Sequence, residues 1–161
     1  MLVLAATGCE SGRAASGGGV GHVHVTLTQG ADTLGYEVPV RARRCSGGRG
    51  LVIDGASHGN GLLVWLRSGG ALDSGSYPLL GRGDSSTARG AVVAVRYVIS
   101  NATHGFSVDD GSAVVGRTTP PFDVRVKGHG LETQAAAQRA VVLSLEHVPL
   151  DADTANCRVQ L

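Results

Sequence analysis

The chain has 161 residues, 42% of them hydrophobic and 17% charged, a composition that suits one globular domain and is too apolar for a disordered tail. Its 14 basic side chains nearly cancel 13 acidic ones and are spread along the sequence, which argues against the clustered basic face of a nucleic-acid binder. The 25 glycines fall largely in polar clusters between apolar runs and favour short strands over long helices, and no run reaches the roughly 20 apolar residues of a helical membrane span.

In chain order the first feature is Met1–Gly8, a short apolar stretch that ends in small residues before Cys9. Ala6-Thr7-Gly8-Cys9 resembles the lipobox of bacterial lipoproteins. That resemblance implies that residues 1–8 are a truncated signal peptide and that Cys9 becomes the acylated first residue of the mature chain. It also implies attachment to a membrane in the bacterial cell envelope, facing the periplasm or the cell exterior. Residues 9–21 then form the anchor and a Ser/Gly/Ala-rich tether, ESGRAASGGGVG from Glu10 on, too poor in apolar side chains to build a core. With Cys9 acylated, Cys45 and Cys157 remain as an even pair in a compartment that permits disulfides, and a bond between them is predicted. Neither has the close CxxC spacing of a zinc site.

From His22 to the C-terminus, residues 22–161, period-two alternation dominates. Val23, Val25 and Leu27 alternate with His22, His24, Thr26 and Thr28; Tyr36, Val38, Val40 and Ala42 alternate with Glu37, Pro39, Arg41 and Arg43. Leu62–Leu66 and Ala91–Ile99 are apolar on both faces and suit central strands, Arg96 marking a face that reaches solvent or a partner. Phe122, Val124 and Val126 form another inward row, as do Val141, Leu143 and Leu145, and Cys157, Val159 and Leu161 suggest a last strand. Turn signals stand at Gln29-Gly30, Ser46-Gly47-Gly48, Gly59-Asn60-Gly61, Ser68-Gly69-Gly70, Asp110-Gly111 and Lys127-Gly128. The expectation is an all-β domain, an antiparallel sandwich or jelly roll of about nine to ten strands. Leu131–Ala140 (LETQAAAQRA) is rich in helix formers and predicts one short helix, with the end of a long hairpin as the alternative.

The motifs with chemical meaning are weak. Gly55-Ala56-Ser57-His58-Gly59 matches the GxSxG elbow of hydrolases, but that elbow needs a helix after the serine, and Gly59-Asn60-Gly61 leads straight into an apolar strand. Ser57 is therefore read as a turn residue, and no catalysis and no cofactor are expected. His22 and His24 share one strand face at a spacing that presents two imidazoles to one metal ion, which makes a periplasmic metal-binding protein the alternative function. Arg82-Gly83-Asp84 resembles the integrin-recognition tripeptide but is expected to be an ordinary loop. Asp151, Asp153 and Asn156 lack the turn glycine and distal glutamate of a calcium loop. The function expected is an envelope-anchored, non-catalytic binding or structural module. Its partners are the membrane, through lipid on Cys9, and an unidentified protein or glycan.

Overall fold

A computed structural model describes residues 19–84, 86, 88–133 and 137–157. Ten strands occur among them: β1 (Gly21–Gln29), β2 (Asp32–Cys45), β3 (Gly50–Ser57), β4 (Asn60–Arg67), β5 (Gly75–Pro78), β6 (Gly90–Ile99), β7 (Ala102–Arg117), β8 (Phe122–Glu132), β9 (Gln138–Val148) and β10 (Leu150–Ala155). Eight of them, β1-β2-β3-β4-β6-β7-β8-β9, pair antiparallel with their neighbours, and β9 returns to β1 with Val23 opposite Leu145 and Leu27 opposite Val141. The sheet thus closes into a barrel. Two strands are additions: β5 pairs with Ser112–Val115 in the second half of β7, and β10 runs parallel to the end of β2.

The alternation read in the sequence places the core. Val23, Val25 and Leu27, Val38 and Ala42, Val126, Val141, Leu143 and Leu145 all point inward and are inaccessible to water. They join one continuous cluster with Leu51, Ile53, Val64, Leu66, Phe106 and Phe122, so side chains fill the cylinder. Each fully buried aliphatic residue of this set contributes about 1.5–3 kcal/mol of transfer free energy. The outward residues of β1 and β8 are His22, His24, Thr26 and Asp123, Arg125, Lys127, His129. On these two strands the pattern is apolar inside and polar outside, with the exposed Leu131 the exception.

Three expectations are corrected. The all-β, antiparallel expectation holds, but in place of a sandwich or jelly roll the strands form a single cylinder. Alternation reports only that a strand has a wet and a dry face, which both architectures share; closure depends on the long-range pairing of β1 with β9. The short helix over Leu131–Ala140 is a hairpin: Leu131 and Glu132 end β8, Gln138 begins β9, and the Glu132 N–H donates to the Ala137 carbonyl at 2.9 Å. Residues 134–136 lie outside the described residues. Cross-strand pairing of Leu131 with Gln138 and Gly130 with Arg139 overrides the local helix propensity. Finally, the last described strand is Leu150–Ala155 and ends before Cys157, while Val159 and Leu161 lie outside the described residues.

Asp110-Gly111 and Lys127-Gly128 are also not turns. They face each other in the middle of β7 and β8, where Gly111 pairs with Gly128. A Cβ on Gly111 would lie 2.2 Å from the Lys127 carbonyl oxygen, and one on Gly128 would lie 2.2 Å from that of Asp110. Here glycine permits close approach of two backbones beside the β-bulge at Asp109, which lets two long strands coil around the barrel.

Cys45 and Cys157 form the predicted disulfide, their Cα atoms 5.4 Å apart. With Val52 and Ala155 they make a second small cluster outside the barrel wall, against Leu63 and Trp65. The bond joins residues 112 apart. A loop of that order is worth up to about 4.7 kcal/mol in the chain-entropy account.

Candidate functional site

The two ends of the barrel differ. At the lower end run the connections β2–β3, β4–β6 and β7–β8; at the other, here called the rim, are β1–β2, β3–β4, β6–β7 and β8–β9. The β3–β4 hairpin is short. Gly61 pairs with Arg96, so Tyr97–Ile99 rise beyond it on one side, and β3 pairs with β2 only from Arg41 to Arg44, so Asp32–Val40 have no partner on that edge. The result is a notch in the rim, spanned by the Tyr36 hydroxyl, which donates to the Gly61 carbonyl at 3.2 Å.

At this level the inward rows change character. Beneath it are Val95, Val108, Val126 and Val141; at it, on the same inward faces, are Tyr36 of β2, Tyr97 of β6, His104 and Phe106 of β7, Glu132 of β8 and Arg139 of β9. Tyr97 stacks against His104 with centroids 5.0 Å apart and against Phe106 at 5.8 Å. His104 Nδ1 lies 2.6 Å from Glu132 Oε1, and Glu132 is only 8% exposed. The carboxylate therefore holds the imidazole in one orientation and leaves Nε2 as the ring nitrogen without a protein partner among the described residues. Arg139 brings its guanidinium to 5.9 Å from the Phe106 centroid, and its buried Nε has no acceptor.

Both tyrosines are held protonated. Burial pushes the Tyr36 hydroxyl well above the usual phenol range, with Tyr97 adding to the effect and Arg96 opposing it. Burial also raises Tyr97, with Arg139 pulling it down and Glu132 pushing it up. The rim therefore presents neutral hydroxyls, an oriented imidazole and a cation, a set that can hold a polar ligand by hydrogen bonds and charge.

The residues singled out in the sequence lie elsewhere. His22 and His24 are exposed on the outside of β1, lining a groove of about 370 Å³ with Glu37, Glu146 and His147. His24 Nδ1 is 3.4 Å from Glu37 Oε1, yet among the described residues no three His, Cys, Asp or Glu side chains are grouped to hold a metal ion. Ser57 is at the β3–β4 tip with its Oγ 2.8 Å from His58 Nδ1, and β4 rather than a helix follows. The Asp84 carboxylate takes the Arg67 guanidinium at 3.3 Å and the Ser86 N–H at 2.7 Å, fastening its loop to the outer wall. Asp151 pairs with Arg41 at 3.2 Å. Cys9 lies outside the described residues.

A groove of about 980 Å³ runs along the outer wall past Pro39, Arg41, Asp54, Leu63, Leu150 and Asp151. Its charges already meet partners, Arg41 with Asp151 and Asp54 with Arg43, so size and chemistry part company and the rim is the stronger candidate. The alternation of β2 placed Tyr36 on the apolar row of its strand, but nothing in the sequence gathered the set. Glu132 and Arg139 lie in the segment read as a helix, where period two is invisible; as a strand, the same segment places both on the inner face. No protein-family model matches the chain, and no characterised protein or solved structure matches it.

Proposed function

We propose that this chain is a lipid-anchored protein of the bacterial cell envelope whose barrel is a non-catalytic binding module, joined to its anchor by a Ser/Gly-rich segment and offered to a protein or glycan partner. The observation that carries the reading is the pairing of Cys45 with Cys157, which leaves Cys9 as the one cysteine of three without a disulfide role. An odd cysteine behind small residues and ahead of a Ser/Gly-rich stretch suits acylation, and a disulfide closing so long a loop suits an oxidising compartment. The polar outer faces of β1 and β8 fit a body held near a membrane rather than within one. The rim supplies groups for binding, with His104 engaged by Glu132 and the Thr133 hydroxyl donating to the Gly105 carbonyl at 2.8 Å.

The test is to express the gene with its upstream region in a bacterial host and weigh the mature N-terminus. A chain beginning at Cys9 with the added mass of acyl groups supports the reading; an unmodified Cys9 rejects it. A second reading, metal binding at His22 and His24, is favoured by the groove that gathers them with His147, Glu37 and Glu146. Zinc and copper titrations decide it, since a His24→Ala variant that binds as the parent does removes His24 from any site.

A further inference from the structure

We propose that Arg139 at the rim is an anion site, built to take the carboxylate of an organic acid. This rests on the binding-module reading and gives that module a ligand class. Among the described residues three guanidinium groups lie over aromatic rings: Arg67 at 4.3 Å from the Trp65 centroid, Arg89 at 4.0 Å from Tyr77 and Arg139 at 5.9 Å from Phe106. The first two also have carboxylates, Asp84 at 3.3 Å and Asp73 at 3.2 Å. Arg43, half-buried like Arg139, has Asp54 at 2.8 Å. Among the described residues Arg139 has no carboxylate within 4.0 Å; its guanidinium meets the neutral Tyr97 hydroxyl, and its buried Nε–H, like those of Arg43 and Arg67, has no acceptor. Removing a guanidinium from water without a countercharge is costly, and a fold that wanted only packing here would gain by placing an apolar side chain.

Nor is the neighbouring acid available. Glu132 is committed to His104 at 2.6 Å, so the charge that would neutralise Arg139 at contact distance must come from outside the chain. A carboxylate fits best. It matches the planar fork of a guanidinium, and the Tyr97 hydroxyl, held protonated beside Arg139, can donate to one of its oxygens. A phosphate dianion fits worse, because the Glu132 carboxylate faces the same ring of residues and repels a second negative charge. Tyr97 and Phe106 are themselves buried, so of the stacked rings it is the partly exposed His104 that an apolar body can pack on. Free organic acids and the C-terminus of a peptide share this chemistry.

The experiment follows the Arg Nε–H resonances of the isotope-labelled full chain during titration with sodium benzoate, with a short peptide acid and with the amide of the same peptide, each at matched ionic strength in sodium chloride. The expected result is a saturable shift at Arg139 with benzoate or the peptide acid, none with the amide or chloride, and none at Arg89. Benzoate alone identifies free acids as the source, the peptide acid alone identifies chain termini, and a response to both assigns the site to carboxylates generally. Arg139→Gln should weaken binding by roughly tenfold to a hundredfold, the loss of one charged hydrogen-bonded contact, while Arg89→Gln should bind as the parent does. Should Arg139→Gln not fold, the parent and Arg89→Gln titrations still decide. No shift at Arg139, or equal shifts at exposed arginines such as Arg125, overturns the proposal. A silent rim with acylated Cys9 would reject the site and keep the anchored module; carboxylate binding with an unmodified Cys9 would do the reverse.

Discussion

At the lower end of the barrel Arg89 lies over the Tyr77 ring and holds Asp73, and the Tyr77 hydroxyl donates to Asp73 Oδ1 at 2.5 Å. At the rim the same kinds of group recur, with Arg139, Phe106, Tyr97 and the acid Glu132, but the acid is turned to a histidine and the cation is left without it. The lower end is a finished structural joint. The rim is an unfinished one, and buried polar groups that a fold leaves incomplete are where binding is to be sought. The difference teaches that burial and charge alone do not mark a site; it is the missing countercharge that does.

The largest expected effect breaks the lower end. Tyr77 is wholly inaccessible to water, so Tyr77→Ala should cost about 3–5 kcal/mol in urea unfolding, whereas a loss under about 1 kcal/mol would mean that this end is not packed as described. Next, Gly128→Ala forces a Cβ against the Asp110 carbonyl and should cost about 1–3 kcal/mol; an unchanged midpoint would contradict the close approach of β7 and β8. The two arginines then sharpen the comparison. Arg89→Gln should lower the melting temperature by breaking its ion pair and ring contact, and Arg139→Gln should lower it less, because a neutral hydroxyl and a more distant ring are lost but no ion pair.

The smallest effects are those of pH. Asp73 is held below the usual carboxylate range, first by the hydrogen bond from Tyr77 and then by Arg89. Its contribution is present above the unfolded value and lost as the pH falls through the folded one, so acid should loosen the lower end, and Asp73→Asn should blunt that loss. Tyr36 runs the other way. With its folded value raised, its contribution is complete below about pH 10 and is lost as the pH climbs from there, and Tyr36→Phe should show less alkaline destabilisation of the rim in hydrogen-exchange measurements.

Much of the fold was legible because burial writes itself directly into alternation. Val23, Val25 and Leu27, or Val141, Leu143 and Leu145, need no partner to be recognised as an inward row. The cysteine pair was legible by elimination once Cys9 was set aside. Closure was not, because it lies in the pairing of β1 with β9, more than a hundred residues apart, and a cylinder and a sandwich place the same demand on each strand. Gly111 and Gly128 look like turn residues because glycine serves both sharp turns and close backbone contact, and only the facing strand distinguishes the two. The rim was hidden for a third reason. Glu132 and Arg139 flank an alanine-rich stretch whose propensity points to a helix, and a strand pairing made elsewhere overrules it.

One measurement bears on the contrast between the two ends more directly than any other, a high-resolution crystal structure of the ligand-free protein. The account requires Arg89 in contact with Asp73, and Arg139 with no carboxylate of its own chain within 4.0 Å while Glu132 stays on His104. An Arg139–Glu132 ion pair, with His104 released, would make the rim as complete as the lower end and would contradict it.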